Sequence, residues 1–140
     1  MKVLLDTNVI LDVVFRREEW LEVSGGVWQA HVDGYLEGFV TATTVTDIFY
    51  VVRRYATLEK AREVVTGILH TLAVVAVDQA TLFYANQLSG SDFEDNVQMA
   101  CVVQAGLEAI VTRDKKGFKL ATVPVYAPAE LLDVLEIRKE

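Results

Sequence analysis

Residues 2–12 read KVLLDTNVILD, and how this stretch is read decides the fold. Val3, Leu4 and Leu5 are apolar in succession, the pattern of a strand buried on both faces in a parallel sheet. The run stops at Asp6. Thr7 and Asn8 are turn and cap residues. Apolar side chains return at Val9, Ile10, Val13 and Val14 with helical spacing, which predicts a helix over residues 8–16. A carboxylate between a buried strand and a helix must cap, bind or react.

The alternation continues outward from there. A second helix is expected from Glu18 to Leu36, weakened at Gly25-Gly26, followed by a strand GFVTAT at 38–43. Helical patterns run from Thr44 to Tyr55 and from Leu58 to Leu72, and AVVAV at 73–77 reads as a strand. Asp78 caps a helix to Leu88, and Phe93 to Gly106 form another, with Val97, Cys101 and Ala105 at fourfold spacing. AIVT at 109–112 and VPVY at 123–126 read as strands, and Ala129 to Lys139 as a closing helix. Strands alternating with helices predict an α/β fold, a three-layer α/β/α domain with a central, mostly parallel sheet of four or five strands. In such sheets the crevice used for function lies beyond the carboxyl ends of strands, where Asp6 stands.

The 140 residues fit one domain spanning 1–140, and 52% hydrophobic residues exclude a disordered chain. No apolar run reaches the roughly 18 residues of a membrane helix, and no secretory leader is evident. A lone Cys101 rules out an internal disulfide and fits a reducing cytoplasm; mid-helix, it is expected to be buried and inert. The net charge of −7 counts against general nucleic-acid binding through a basic face.

Four acids share the same kind of place. Asp6 follows the first strand, and Asp47 falls in the first turn of the helix after the second. Asp95 falls in the first turn of the helix at 93–106, and Asp114 follows AIVT. Each has a purely local explanation. Thr44–Asp47 and Ser91–Glu94 have capping-box form, and Asp6 and Asp114 suit turns. As a set they are harder to explain locally. Two like charges about 4 Å apart cost roughly 1 kcal/mol in water and about 4 at intermediate dielectric, so a converging group needs protons or a cation. Oxygen-only ligands select Mg²⁺ or Mn²⁺, and zinc is disfavoured because no His or Cys lies nearby. Such an ion suits hydrolysis of a phosphodiester.

The runs LLDTNVILD, TVTDIFY, DFEDNVQMACVVQAG and AIVTRDKKGF resemble, in order and over nearly the whole chain, the PIN-domain ribonucleases. The likeness is greatest to the small VapC-type toxins of bacterial toxin–antitoxin pairs. That resemblance implies a three-layer fold and metal-dependent RNA cleavage. It maps the family's acids onto Asp6, Asp47, Asp95 and Asp114, with Asp47 standing where most relatives have the longer Glu. It implies that Mg²⁺ or Mn²⁺ is held among Asp6, Asp95 and Asp114, that Asp47 helps, and that Asp92 is a neighbouring ligand candidate. Asn8 is expected to support Asp6 through hydrogen bonds, with Thr7 a second candidate, and Thr112 matches the polar position before the last acid's arginine. The implied partners are an RNA substrate, a cognate antitoxin and a second copy in a homodimer, in the cytoplasm and off the membrane.

Other features carry less. The basic residues Arg16-Arg17, Arg53-Arg54 and Arg113 to Lys119 are either solvated surface or phosphate contacts, the last group being best placed. His31 and His70 lie far in sequence from every acid and are expected to be structural or surface groups. Trp20 and Trp28 share a helical region and are expected to pack together. An aspartate-nucleophile phosphatase also places Asp after strand one, but needs a second Asp where this chain has Asn8. A PIN-like module that binds RNA or protein without cutting is the other alternative.

Overall fold

The computed structural model describes residues 1–139, with side chains described to Glu136. In it the apolar run becomes β1 (Lys2–Leu5), the middle strand of the sheet. On one side β1 pairs with β2 (Glu37–Thr41), which pairs with β3 (Ala73–Val75). On the other it pairs with β4 (Ala109–Val111), which pairs with β5 (Val125–Tyr126). The order is β3-β2-β1-β4-β5, and every pairing is parallel. Leu4 sits opposite both Phe39 and Ile110.

The pleat of β1 divides the core. Val3 and Leu5 point to one face and pack with Ile10, Val27, Ile48 and Leu131. Those residues belong to α1 (Thr7–Val14), α2 (Glu18–Val32), α3 (Ala42–Tyr55) and α7 (Pro128–Lys139), with α4 (Leu58–Thr71) packed beside α3. Leu4 points to the other face and packs with Met99, Val102 and Phe118, under α6 (Phe93–Ala105), which pairs with α5 (Gln79–Gln87). Alternation along one strand therefore fills both outer layers. Each of these side chains is at most 3% exposed, which contributes about 1.5–3 kcal/mol apiece.

Several boundaries move for physical reasons. α2 ends at Val32 rather than Leu36, because Gly34 turns the chain with φ +83°. Gly25-Gly26 does not weaken it: a Cβ on Gly26 would meet Leu132 Cδ1 at 2.9 Å, so the glycine permits close crossing of α7. α3 begins at Ala42, because Thr41 rather than Thr44 is its N-cap, accepting from the Thr44 N–H at 3.0 Å. β3 stops at Val75, short of Val77. Asp78 does cap α5, in a reciprocal box with Thr81. A short 3₁₀ helix at Lys115–Phe118 follows β4 where only a turn was expected.

The connection after β1 leads through two helices to β2 on one side, whereas β4 lies on the other. The sheet's order thus reverses at β1 and β4, and a crevice opens beyond their carboxyl ends.

Candidate functional site

Asp6 ends β1 and caps α1. Its Oδ1 accepts from the Thr7 N–H at 2.8 Å and from Gln98 Nε2 at 2.9 Å, and its Oδ2 accepts from the Thr112 hydroxyl at 2.7 Å. It is only 6% exposed, and its orientation is fixed from α1, α6 and the end of β4 together. The Thr112 hydroxyl also accepts from the Asp114 N–H at 3.0 Å, so one buried threonine ties the first acid to the backbone of the last.

Asp6, Asn8, Asp47, Asp92, Asp95 and Asp114 all line one cavity of about 450 Å³. Glu94 joins them, and Leu11, Tyr50 and Val51 form an apolar wall. Asn8 is exposed; among the described residues it is Thr7, Gln98 and Thr112, not Asn8, that hydrogen-bond Asp6. Asp47 stands in the second turn of α3, not the first, since that helix starts at Ala42. Asp92 is the N-cap of α6 and accepts from the Asp95 N–H at 3.1 Å. Glu94 and Asp95 follow in its first turn, where the helix dipole favours negative charge.

The charges crowd. Burial first, then Asp92, Asp6 and Asp114, push the Asp95 carboxyl up to about 7. Burial first, then a hydrogen bond and charge from Asp47, then Asp6 and Asp92, raise Glu94 to about 7. Among the described residues no three acidic, His or Cys side chains stand close enough to ligate one ion together. The donor set is nevertheless oxygen throughout and short of positive charge, which fits a hard divalent ion.

Several of these residues escaped the sequence reading. Glu94 was counted only as a capping-box member, although three acids within one helical turn were a signal. Gln98 carried none. A threonine relay runs from Thr41 through Thr44 (3.0 Å) and Thr7 (3.1 Å) toward Glu94 (3.4 Å), tying the starts of α3, α1 and α6. Gly117 lets the 3₁₀ helix approach Asp95, whose Oδ2 occupies the place a Cβ would take.

Asp12 is the largest omission. It is fully buried on α1 and lies 3.2 Å from Arg17 Nη1, 2.9 Å from Arg113 Nε and 2.9 Å from the Ser24 hydroxyl that donates to it. The Arg113 pair is ionic without hydrogen-bond alignment at Nε. Arg113 also covers the Trp20 ring, 4.6 Å from its centroid. Trp20 packs under Arg113, and Trp28 packs against the core, as expected of a core residue. His31 is structural: Nδ1 accepts from the Gly38 N–H at 2.9 Å, so Nε2 donates to the Thr71 carbonyl at 2.6 Å. His70 is exposed, and Cys101 is buried, its thiol pushed up to about 11 chiefly by burial.

A family profile described as "PIN domain" matches residues 2–116. No curated protein matches the sequence. Among solved structures, VapBC2 from Rickettsia felis, bound to a DNA fragment from its promoter, is similar with a TM-score of 0.70 at 13% identity, over 91% of this chain and 98% of that one. VapC20 from Mycobacterium tuberculosis, described as a sarcin-ricin loop cleaving toxin, gives 0.67 at 10% identity, over 82% and 92%. FitAcB from Neisseria gonorrhoeae gives 0.62 at 20% identity, over 91% and 98%. At these identities the likeness speaks for the fold.

Proposed function

The chain belongs to the PIN-domain family, and from that premise we propose that it is a ribonuclease that hydrolyses RNA phosphodiester bonds with Mg²⁺ or Mn²⁺. The observation that carries this reading is the ring of six carboxylates around one cavity at the carboxyl ends of β1 and β4. Asp6, Asp95 and Asp114 would hold the ion, with Asp47, Asp92 and Glu94 beside them. A bound ion supplies the Lewis acidity that activates water and offsets charge growing on a phosphate. The protein's own contribution is preorganisation. Gln98, Thr112 and the Thr7 N–H hold Asp6 so that it cannot turn away. Asp92 orders the first turn of α6 and with it Asp95. The Asp12–Arg113 pair anchors the segment that carries Asp114.

The assay is cleavage of a labelled single-stranded RNA with Mg²⁺ or Mn²⁺, with and without chelator. Cleavage is expected only with the ion, and Asp6→Asn and Asp95→Asn should reduce it to background. Wild-type cleavage by Asp6→Asn would remove the site assignment. One observation favours a binding module that does not cut: among the described residues no three acids are gathered to ligate one ion. RNA binding without cleavage under every ion would establish that module instead.

The reading extends to the biological role. Several solved neighbours are toxin–antitoxin complexes, some bound to DNA. We place this chain as the cytoplasmic toxin of such a pair, forming a homodimer and restrained by a small antitoxin; among the described residues no helix is long and apolar enough to cross a membrane. An antitoxin Arg or Lys inserted into the cavity would pair with its carboxylates and exclude the ion. Co-expression with the neighbouring small gene should yield a complex that cuts slowly. A monodisperse monomer in light scattering would remove the homodimer.

A further inference from the structure

A second cleft, of about 270 Å³, adjoins the acidic cavity and shares Asp92 with it. Its walls are Ser89 and Ser91 on one side and Lys116 and Lys119 on the other. Its floor carries no side chains at two points, for packing reasons. At Gly90 a Cβ would collide with Asn96 Oδ1, and at Gly117 with Asp95 Oδ2. The cleft is therefore backbone at two points, lined by two serines and two lysines, with Leu120 beside them and the Asp92 carboxylate at the end it shares with the acidic cavity.

The cations of this loop are not equivalent. Arg113 is committed to Asp12 and stacked on Trp20, and Lys115 is paired with Glu130 at 3.0 Å. Lys116 and Lys119 are exposed and make no ion pair with the described residues. In a chain of net charge −7, two unpaired ammonium groups beside a ring of carboxylates are a local reversal of sign. A polyanion approaching the acidic cavity along this edge meets attraction where the carboxylates beside it repel.

We propose that the cleft between Ser89–Ser91 and Lys116–Lys119 binds a backbone phosphate of single-stranded RNA next to the one at the acidic cavity. This rests on the ribonuclease reading and adds a direction: the strand leaves the acids past Asp92 and over the 3₁₀ helix. Lys116 and Lys119 supply the charge, and the Ser89 and Ser91 hydroxyls supply neutral donors. Phosphate contacts of this kind position a strand without reading its sequence.

The test is binding, separate from catalysis. A fluorescent single-stranded RNA oligonucleotide is titrated with the Asp6→Asn protein across a salt series. The same is done with Asp6→Asn carrying Lys116→Ala and Lys119→Ala, and with Asp6→Asn carrying Lys60→Ala. Lys60 pairs with Glu63 and lines neither cleft. Each phosphate neutralised on a single strand adds about 0.7 to the salt slope, so the double lysine variant, which loses the one phosphate held in the cleft, should lose about 0.7, and on the order of tenfold in affinity at physiological salt. A slope and affinity equal to those of the Lys60 control would overturn the subsite and leave the ribonuclease reading standing. If the Asp6→Asn protein binds no RNA, both fall. If the lysine variant keeps RNA affinity but loses a co-expressed protein partner, the cleft serves that partner and the proposal fails.

Discussion

Asp6 is held by three hydrogen-bond donors and Asp12 by two with an ion pair to Arg113, but only Asp6 faces the cavity. Asp12 uses its charge to join α1, Ser24 of α2, Arg17 and the Arg113 segment. Replacing it with Asn keeps the shape and strands two guanidinium groups. Removing one partner of a buried pair costs about 3–5 kcal/mol; both arginines keep some water, so the expectation for Asp12→Asn is about 3. Urea denaturation reads this directly, and an unchanged midpoint would show that the network is not structural. Asp6, Asp92, Asp95 and Asp114 were legible in the sequence because each stands at a strand end or helix start, whereas Glu94 was legible only as a capping residue. Their partners were not, because Gln98 and Thr112 meet Asp6 across 92 and 106 residues. Asp12 could have been found by a different rule: a carboxylate on the apolar face of a helix needs a partner when buried.

At the scale of elements, α3 and α6 show which signals carry. The run TATTVT offers several threonines as caps, and the structure uses Thr41, which shifts α3 by two residues and moves Asp47 into its second turn. Asp47 therefore does not cap, and Asp47→Ala should leave stability within about 0.5 kcal/mol, the usual range for such surface changes. Its effect on RNA cleavage should be smaller than that of Asp6→Ala, because Glu94 stands beside it; an equal loss would make Asp47 a primary ligand. For α6 the cap at Asp92 and the stop at Gly106, with φ +64°, follow ordinary rules. The 3₁₀ helix against α6 was invisible, because its reason lies in the close approach of Gly117 to Asp95. Gly117 has no positive φ, so Gly117→Ala should fold while displacing the Asp95 carboxylate. A misplacement of about 1 Å can cost on the order of a hundredfold in rate. Near-wild-type cleavage by a folded Gly117→Ala would take Asp95 out of the mechanism.

Over the whole molecule, the alternation of strands and helices made the five-stranded parallel sheet legible, since each segment's pattern agreed with its neighbours'. Charge balance was legible only as a sum; its placement depended on folding. That placement sets how stability varies with pH. Glu94 and Asp95 titrate near 7 in the fold and near 4 when unfolded. Between those values the folded chain holds more protons than the unfolded one, so its stability falls as pH rises from about 4 to about 7. Asp78 and Glu130 act with the opposite sign. Backbone hydrogen bonds from Thr81 and Ala127 hold their carboxyls low, and what they contribute is lost only as pH drops below about 4. The two effects therefore occupy different windows. With chelator present, the melting temperature should decline from pH 5 to pH 7.5, and Glu94→Gln with Asp95→Asn should flatten that decline and melt higher at the upper end. Mg²⁺ should flatten it as well, because an ion that binds only the folded state replaces the protons; at about a hundred times its Kd it adds about 2.7 kcal/mol. Parallel curves for parent and variant would show that the carboxylates do not repel one another in the fold, and a melting temperature indifferent to Mg²⁺ would remove the ion from the site.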